Sequence, residues 1–518
     1  MIKKNILFFF FLFLVSGVFA QQDVTTRNKN IKKAEDAFER NDFLKAYNLF
    51  AEIIKYDTTN AEYYFKSGYC LFSISKTDTA CIKYFIRSKA TIQESHYFLG
   101  KIYLFNGNPK KALDELYHFK NINTEEIISN KDVLSSISAC EAAMYEEANK
   151  QAFIIQNLGD KINTKYSEYV PLFWNLNGSL VFTSRRPDSK GGKTDPYGKF
   201  YEDVYLASQD GASWGKPGSI SDNINTDVHD ACIAFSPDGK ELLIYRTDAK
   251  QTGGDIYISK FNDTSWSTPV ILGPEINSKY LEASACFSSD GNAIVFSSNR
   301  PGGIGGRDLY IVRKFMNGKY SLPRNLGPLI NTTDDEDAPF IDRGNNNLYF
   351  SSKGHHTIGE YDIFVSPYNE ETEQWGKTES LGVPINSTND DIYFTKIDNS
   401  KKALFTSRRE GGFGDADIYM VDFNESSRVV VYLKFNFEEI GSKENLFDLK
   451  LSLFDSETGR LEGLYKPNKD YMTIVLPVTV DKNYKMLIES KSIRPIINIT
   501  SFSDEEKEII INLRKAIN

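Results

Sequence analysis

The sequence predicts a multidomain chain that is α-helical first and β-structured afterwards. Its parts, in order, are an N-terminal helical-repeat solenoid, a five-bladed β-propeller and a small C-terminal β-sandwich. Three observations predict this order: a repeat of about 34 residues near the N-terminus, a second repeat of about 53 residues in the middle, and short β-rich segments after it.

The composition is that of a folded protein with several cores. A chain of 518 residues is too long for one ordinary core. With 41% hydrophobic and 25% charged residues, global disorder is excluded. The net charge of −9 argues against a nucleic-acid partner. Five cysteines do not make a disulfide framework; Cys70 and Cys81 either pair or are buried as small apolar residues.

Residues 1–20 have the pattern of a secretory signal peptide. Lys3 and Lys4 form a positive start, Ile6 to Val15 is an apolar run, and Ala20 stands at the cleavage position. The alternative is an uncleaved anchor, for which the run is short. We therefore expect an exported chain in the periplasm or at the outer membrane, with no transmembrane segment in its mature part.

Residues 21–150 are predicted to form a helical domain with three repeats and a closing helix. Small residues would allow helices to cross closely, and large apolar residues would fill the gaps beside them. The in-phase columns are Ala34, Gly68 and Gly100; Ala46, Ala80 and Ala112; and Phe50, Tyr84 and Leu116. These columns resemble the tetratricopeptide repeat, which implies a groove for a peptide or a partner helix; a spacer or dimerisation element is the alternative.

Residues 151–423 contain five β units, each with three or four short strands. A period of this length with several strands and tight turns is typical of a propeller blade. A triplet of Asp, an aliphatic residue and Tyr or Phe begins at Asp203, Asp255, Asp308, Asp362 and Asp417. An Ile-Asn-(Thr/Ser) turn begins at Ile162, Ile224, Ile276, Ile330 and Ile385.

The two ends of this region predict how the ring closes. The fifth unit ends at Phe423 without its last strand, and the segment Ala152 to Gly159, before unit one, carries the missing pattern. We therefore expect the N-terminal strand to complete the last blade and leave no open sheet edge.

Segments such as Phe235-Ser236-Pro237-Asp238-Gly239 and Gly306-Arg307-Asp308-Leu309-Tyr310 resemble those of the WD-repeat-like, TolB-type propeller family. The loops of that family are similar to the Asp-box of sialidases. The tryptophan of that box is missing after Asp238-Gly239 in this sequence.

An acid follows each Ile-Asn-(Thr/Ser) turn at a constant distance, just before the first strand of its blade. The five acids are predicted either to ring the mouth of the central channel and bind a cation or a basic peptide, or to accept hydrogen bonds from the neighbouring turns. Their occurrence in all five units favours the second alternative. They are Glu168, Asp230, Glu282, Glu336 and Asp391.

Arg186, Arg300 and Arg409 share a second column, and a structural pair with the Asp of the next strand is expected for each. Asp248 and Gly354 occupy this column in units two and four, where a distinct surface could lie.

The sequence contains no convincing catalytic motif. Gly211-Ala212-Ser213-Trp214-Gly215 matches a hydrolase pattern but falls in a hairpin, whereas a nucleophile elbow needs a strand-to-helix turn. His355-His356 lack a metal-ligand spacing. The run Asp334 to Asp337 is either a calcium loop without regular spacing or a solvated acidic loop. No catalytic residue, metal ligand or cofactor is therefore predicted.

Residues 424–518 are predicted to form a small β domain with a short amphipathic helix at 504–516. Strand runs such as Val429 to Leu433, the turn Asp455 to Gly459, and Met472 to Pro477 resemble the carboxypeptidase-regulatory, transthyretin-like sandwich.

The order of these domains resembles that of OmpA-family, PorE-like envelope proteins of Bacteroidota, which are associated with type IX secretion. Those proteins end in a peptidoglycan-binding domain, for which no room is expected here. The resemblance implies a non-catalytic scaffold that binds envelope or secretion proteins through its helical groove and propeller faces. The alternative is a glycan-binding or sialidase-like, glycan-processing propeller, which would need a carboxylate pair and an arginine cluster on one face.

Overall fold

The structure is a computed structural model that divides into two compact units. One unit contains the helical segment to residue 137 together with residues 194–199, and the other contains the remainder. The predicted signal peptide lies outside the described residues. These are 27–124, 127–148, 153–195, 197–210, 213–249, 253–369, 371–423, 428–436, 449–457, 459, 461–467, 473–479, 482–490, 496–501 and 508–512.

The N-terminal segment is helical, and consecutive helices from α2 to α6 pack on one another. Local capping favours their starts: the Asn60 side chain accepts from the backbone of Glu62, and Asn108 caps a helix that begins with Pro109. The helices are α1 (residues 27–39), α2 (Phe43–Ile54), α3 (Ala61–Ile74), α4 (Ile82–Ser88, after a 3-10 turn at Thr79–Cys81), α5 (Glu94–Phe105), α6 (Pro109–Ile122) and α7 (Asn130–Ala148).

Two glycines allow the close helix crossings that the repeat predicts. A Cβ atom on Gly68 would lie 2.9 Å from the Phe85 ring, and one on Gly100 would lie 2.5 Å from Leu116. The predicted column is wrong by one residue in its second copy. Ala80 is exposed, and Cys81, one residue later, is fully buried. The 3-10 turn there rotates the start of α4 relative to the other copies.

The middle region forms five four-stranded antiparallel sheets, as predicted for a five-bladed propeller. The innermost strand of each packs against those of its neighbours. The sheets are β2 (Glu168–Trp174), β3 (Ser179–Ser184), β4 (Asp203–Ala207) and β7 (Gly218–Ser219); β8 (Asp230–Phe235), β9 (Glu241–Thr247), β10 (Gly254–Lys260) and β11 (Val270–Ile271); β12 (Ala285–Phe287), β13 (Ala293–Ser298), β14 (Asp308–Arg313) and β15 (Arg324–Asn325); β16 (Glu336–Ile341), β17 (Leu348–Ser352), β18 (Asp362–Ser366) and β21 (Glu379–Ser380); and β22 (Asp391–Lys396), β23 (Lys402–Ser407), β24 (Asp417–Asp422) and β1 (Ile154–Asn157).

The predicted ring closure is confirmed. Strand β1 pairs antiparallel with β24, with Ile154 opposite Asp422 and Asn157 opposite Tyr419. The last blade is therefore completed by the strand that precedes the first. Blades 1 and 4 also carry small outer hairpins, formed by β5 (Gln209–Asp210) with β6 (Ser213–Trp214) and by β19 (Tyr368–Asn369) with β20 (Gln374–Trp375).

A buried asparagine attaches each Ile-Asn-(Thr/Ser) turn to the preceding blade. Asn163 donates to the carbonyl of Ile418 and accepts from the N–H of the same residue, both at 2.8 Å. The other four asparagines make the same pair of bonds at 2.8 to 3.1 Å. The side-chain oxygen thus satisfies a buried backbone N–H, and the side-chain NH2 group gives the carbonyl a second donor beside a backbone N–H. These residues are Asn225 on Val204, Asn277 on Ile256, Asn331 on Leu309, and Asn386 on Ile363.

The C-terminal segment forms two sheets that share one apolar core, which includes Val431, Leu453, Leu476 and Met486. The first sheet contains β25 (Arg428–Asn436), β28 (Thr473–Thr479) and β31 (Glu508–Asn512). The second contains β26 (Lys450–Asp455), β27 (Leu461–Tyr465), β29 (Asn483–Glu489) and β30 (Ile496–Ser501).

The predicted C-terminal helix is wrong where the structure describes that segment. Residues 508–512 form β31, which pairs parallel with β25. The run Ile509-Ile510-Ile511 is β-branched throughout, which favours a strand over a helix.

All five cysteines are buried, and Cys70 and Cys81 are not joined by a disulfide. Within the described residues, no helix is long and apolar enough to cross a membrane.

Asn163, which attaches the first Ile-Asn-(Thr/Ser) turn to the last blade, gives a direct test of how the ring closes. Replacing Asn163 by alanine leaves the buried N–H of Ile418 without a partner, while the Ile418 carbonyl keeps only the Leu158 N–H as its donor. We expect the free energy of unfolding to fall by about 1 to 3 kcal/mol. Urea unfolding followed by fluorescence measures this, because all four tryptophans lie in the propeller. The exposed turn substitution Asn345→Ala is the control and should change little. Equal stability of the two variants would contradict this role of Asn163.

Candidate functional site

The five predicted ring acids are buried and bonded to their own turns. Glu168 accepts from the backbone N–H of Thr164 at 2.7 Å, from the Thr164 hydroxyl at 2.9 Å, and from Ser184 at 2.6 Å. No carboxylate of the set is more than 1% exposed. This geometry favours the hydrogen-bonding alternative over a cation or peptide site. The other four acids each accept from the hydroxyl residue four positions earlier; they are Asp230, Glu282, Glu336 and Asp391.

The arginine column pairs with these acids, and not with the Asp of the next strand that the sequence suggested. Arg186 lies 3.3 Å from Glu168, and it also donates to the carbonyl of Ile162. The same pairs are Arg300 with Glu282, at 3.2 Å, and Arg409 with Asp391, at 2.8 Å.

Blades 2 and 4 differ from this pattern, as their sequences indicated. In blade 2, Arg246 reaches Asp230 from a neighbouring position, with a separation of 2.5 Å. In blade 4, a His355 ring nitrogen lies 2.9 Å from the Ile330 carbonyl, where the arginines of the other blades donate. Burial raises the pKa of Glu336 to about 7, although Thr332 and Ser352 donate hydrogen bonds to it.

The positions that differ between repeats converge at one mouth of the channel. They form three columns, with one position per blade in each. The first column directly follows the ring acid, the second lies at the end of the second strand or directly after it, and the third directly precedes the Asp of the triplet. The backbone connects them: the N–H of Asp230 donates to the carbonyl of Glu202, and that of Glu336 donates to Arg307. In blade order these three columns read Tyr169, Ala231, Ala283, Asp337 and Ile392; Arg185, Thr247, Asn299, Lys353 and Arg408; and Glu202, Gly254, Arg307, Tyr361 and Ala416.

Three residues at this mouth have a strained backbone conformation. Val170, Ala338 and Tyr393 have φ values of 51°, 49° and 59°, and each stands two residues after a ring acid. A β-bulge interrupts the strand pairing at each of these positions. Bulges redirect side chains, and left-handed backbone at non-glycine residues is costly and is concentrated at functional sites. Three equivalent strained residues therefore mark this mouth as a candidate site.

The three strained residues line a cavity of about 180 Å³. Tyr169 and Tyr393 stack beside it, with ring centroids 6.1 Å apart and planes 29° apart. Tyr245 and Ser284 complete the polar part of the wall. The cavity therefore offers aromatic faces and hydroxyl groups together.

Blade 1 contributes an ion pair to this wall. Arg185 donates to one Glu202 oxygen at 2.6 and 3.0 Å, and His229 lies 3.3 Å from the other. Burial alone would raise the pKa of Glu202, but Arg185 and His229 outweigh it and hold this pKa well below its usual range. Tyr169 also bonds to this carboxylate. Glu202 is thus an ionised hydrogen-bond acceptor at the cavity.

Blades 3 and 4 contribute a second cluster around Arg307. Its guanidinium lies 2.5 Å from Asp337 and donates to the Tyr361 hydroxyl. Ser284 donates to the other oxygen of Asp337. Lys353 and Arg307 hold the pKa of Asp335 below its usual value, against the effect of burial. The acidic run is therefore neither a calcium loop nor fully solvated, because Asp335 and Asp337 are paired with cations.

Blade 5 contributes a third cluster, in which Arg408 lies 2.6 Å from Asp415 and 3.3 Å from Asp390. Tyr393 is the point where the clusters meet. Burial raises the pKa of Tyr393, Asp337 and Glu202 raise it further, and Arg307 and Arg408 oppose them. All four charges therefore lie within electrostatic reach of one phenol.

This mouth was missed by the sequence analysis because it contains no motif. The residues that recur in all five units are the visible pattern of the sequence, and those residues build the scaffold. Variation between the repeats is the signal that could have found the site. Asp337 and Tyr361, for example, are charged or aromatic residues at aligned positions where other blades have alanine, glycine or isoleucine.

No family model and no curated protein matches the chain. Among solved structures, a putative TolB from Agrobacterium tumefaciens is 17% identical, with coverage of 48% of this chain and 71% of that one and a TM-score of 0.27. An endo-arabinase from Bacteroides thetaiotaomicron is 15% identical, with coverage of 53% and 98% and a TM-score of 0.35. An α-L-arabinofuranosidase from Lactobacillus brevis is 12% identical, with coverage of 52% and 93% and a TM-score of 0.33. These similarities concern the propeller fold alone.

The prediction that the chain is not an enzyme is contradicted by this comparison and is corrected here. Glycoside hydrolases, including the endo-arabinase and the arabinofuranosidase, are among the similar structures. The prediction rested on the lack of a catalytic motif. Side chains that converge from different blades, as they do at this mouth, leave no such motif in the sequence.

Glu336 gives a pH-dependent test of the scaffold beneath the site. Its pKa of about 7 in the folded chain exceeds that of an unfolded glutamate, so the folded state binds this proton more tightly. Stability should therefore fall as the pH rises from about 4 to 7, by about 3 kcal/mol from this group. In Glu336→Gln that contribution disappears, and urea unfolding at pH 4.5 and pH 8 measures the difference.

The matched control is Glu282→Gln, because Glu282 is paired with Arg300. This variant should be less stable than the wild type at pH 8, since the half-buried Arg300 guanidinium loses its carboxylate partner. If the stability of the wild type and that of Glu336→Gln changed with pH in the same way, the raised pKa of Glu336 would be contradicted.

Proposed function

We propose that the channel mouth binds a neutral saccharide and that the chain is a glycan-binding or glycan-processing propeller. The observation that carries this proposal is the asymmetric cluster of arginines, ionised carboxylates and stacked tyrosines around one cavity. It has the carboxylates and arginines on one face that such a function requires. The arginines involved, Arg185, Arg307 and Arg408, are distinct from the repeated scaffold column.

The chemistry of the wall suits a sugar. A sugar ring presents hydroxyl groups that both donate and accept, together with apolar C–H faces. Ionised Glu202 can accept from hydroxyl groups, guanidinium groups can donate to them, and the rings of Tyr169 and Tyr393 can cover a C–H face. A few convergent polar groups on an aromatic wall are typical of small-ligand sites.

The charges of the mouth favour a neutral ligand over a strongly charged one. Four cationic side chains face five carboxylates, and most are already paired with each other at 2.5 to 3.3 Å. An ionic ligand would have to displace one of these pairs. The cations are Arg185, Arg307, Lys353 and Arg408, and the carboxylates are Glu202, Asp335, Asp337, Asp390 and Asp415.

Glycan cleavage would need two carboxyl groups, one of them protonated. Glu202 and Asp335 are poor proton donors, because neighbouring cations lower their pKa values. Asp337 is buried, at 4% exposure, and contacts both Ser284 and the Arg307 guanidinium, so it could serve as the carboxylate that acts beside a separate proton donor. We therefore choose Asp337 as the carboxylate to test for chemistry.

A second candidate function is an interaction scaffold in the bacterial envelope, in type IX secretion or another outer-membrane assembly. The close helix crossings at Gly68 and Gly100 support tetratricopeptide-like packing in residues 21–150, with a groove for a partner. We also propose an exported, PorE-like chain with the propeller at 151–423 and a carboxypeptidase-regulatory-like sandwich within 424–518. Both functions can coexist, since they use different parts of the chain.

The saccharide proposal predicts that removing one ring face weakens binding. Tyr393→Ala should raise the dissociation constant for a bound neutral oligosaccharide by roughly tenfold or more. Tyr393→Phe is the matched control, because it keeps the ring, and it should change the constant by about threefold at most. Affinity electrophoresis on arabinan, xylan and levan, then calorimetry on the best ligand, measures this.

Release of reducing ends from the same polysaccharides tests processing, with Asp337→Asn as the variant expected to lose any activity. Failure of every polysaccharide to bind, or equal binding by Tyr393→Ala and the wild type, would overturn the saccharide proposal. Binding without cleavage would limit it to recognition.

A further inference from the structure

One outer hairpin of the propeller exposes large apolar side chains at its tip. We call residues 313–324 the blade-3 hairpin. Phe315 is 54% exposed, Met316 is fully exposed and Leu322 is 85% exposed. The backbone is nevertheless well ordered by hydrogen bonds: Phe315 and Lys319 pair at 2.7 Å, and Ser321 donates to Arg313 at 2.8 Å. The apolar tip is therefore a fixed feature of the surface.

The equivalent hairpins of other blades are polar. In blade 2, Phe261 pairs with Trp266 in the same way that Lys314 pairs with Tyr320, but the turn between them is Asn262-Asp263-Thr264-Ser265. In blade 4, the described part of the turn contains Glu371, Thr372 and Glu373. The blade scaffold does not require an apolar tip, so a separate reason for it is needed.

Cations surround the tip in a chain of net negative charge. Arg313, Lys314, Lys319 and Arg324 are all exposed. Arg313 lies 3.9 Å from Glu373, but both side chains are more than 60% exposed, so solvent screens this pair. Among the described residues, Lys314, Lys319 and Arg324 form no ion pair. The blade-3 hairpin thus joins an apolar tip to a basic rim.

We propose that the blade-3 hairpin inserts into the surface of an anionic lipid membrane. Phe315, Met316 and Leu322 would enter the boundary between headgroups and acyl chains. The basic rim would lie against the anionic headgroups, to which lysine and arginine are attracted. Charge complementarity selects this occupant, because an uncharged apolar partner would leave four cations without a role. This inference does not depend on the saccharide site.

Sedimentation of the full chain with vesicles tests the proposal. Vesicles of phosphatidylcholine with about 30% phosphatidylglycerol have an anionic surface and should bind the chain. Vesicles of pure phosphatidylcholine should bind it much less. The double variant Phe315→Ser, Met316→Ser should bind roughly tenfold more weakly. Lys314→Gln with Lys319→Gln should lose about fivefold per charge, and the remaining binding should become less salt-sensitive.

The matched control is Val270→Ser, which removes an apolar side chain of similar exposure, 64%, from the outer strand of blade 2. It should bind vesicles like the wild type. All substitutions are at exposed positions, and circular dichroism checks that each variant folds. Absence of binding to anionic vesicles would overturn the proposal, as would binding that the hairpin variants leave unchanged. Capture of an acidic protein without any binding to vesicles would also overturn it.

Discussion

Five buried asparagine amides connect the blades of this propeller, and the ring depends on them. Each accepts from and donates to one backbone residue of the blade just completed, for example Asn163 on Ile418. The following Thr or Ser then donates to an acid that begins the next blade, as Thr164 does to Glu168. One short turn therefore attaches to two blades. Because these groups are buried, a missing partner would be costly, and the repeat preserves all of them.

This constraint explains why the candidate site lies where the repeats differ. The repeated acids and asparagines have their bonding capacity used within the scaffold, so they have little left for a ligand. The three neighbouring columns of positions that differ between blades do not have this repeated bonding role. There the blades place Tyr169, Glu202 and Tyr393 in the wall of one cavity, on backbone strained at Val170 and Ala338. A symmetric scaffold thus presents an asymmetric mouth, as recognition of an asymmetric molecule requires.

Much of the fold could be predicted because local chemistry repeats in phase. The Asp triplets and Ile-Asn turns predicted five blades, and the segment Ala152 to Gly159 predicted the closing strand β1; both are observed. Errors arose where a local feature broke the phase or where tertiary pairing decided. The 3-10 turn at Thr79–Cys81 shifted one helical column by a residue. Strand β31 took the place of a predicted helix because it pairs with β25.

The candidate site could not be predicted in the same way. Arg307 and Asp337 come from different blades, and their contact follows from the ring geometry, not from spacing along the chain. The most direct test of a saccharide site at this mouth is a crystal structure of the chain soaked with the neutral oligosaccharide that binds it best. We expect electron density for a sugar ring against Tyr169 and Tyr393, with hydroxyl groups bonded to Glu202 or the Arg307 cluster. Ordered sugar at another surface, with this mouth unchanged, would contradict it.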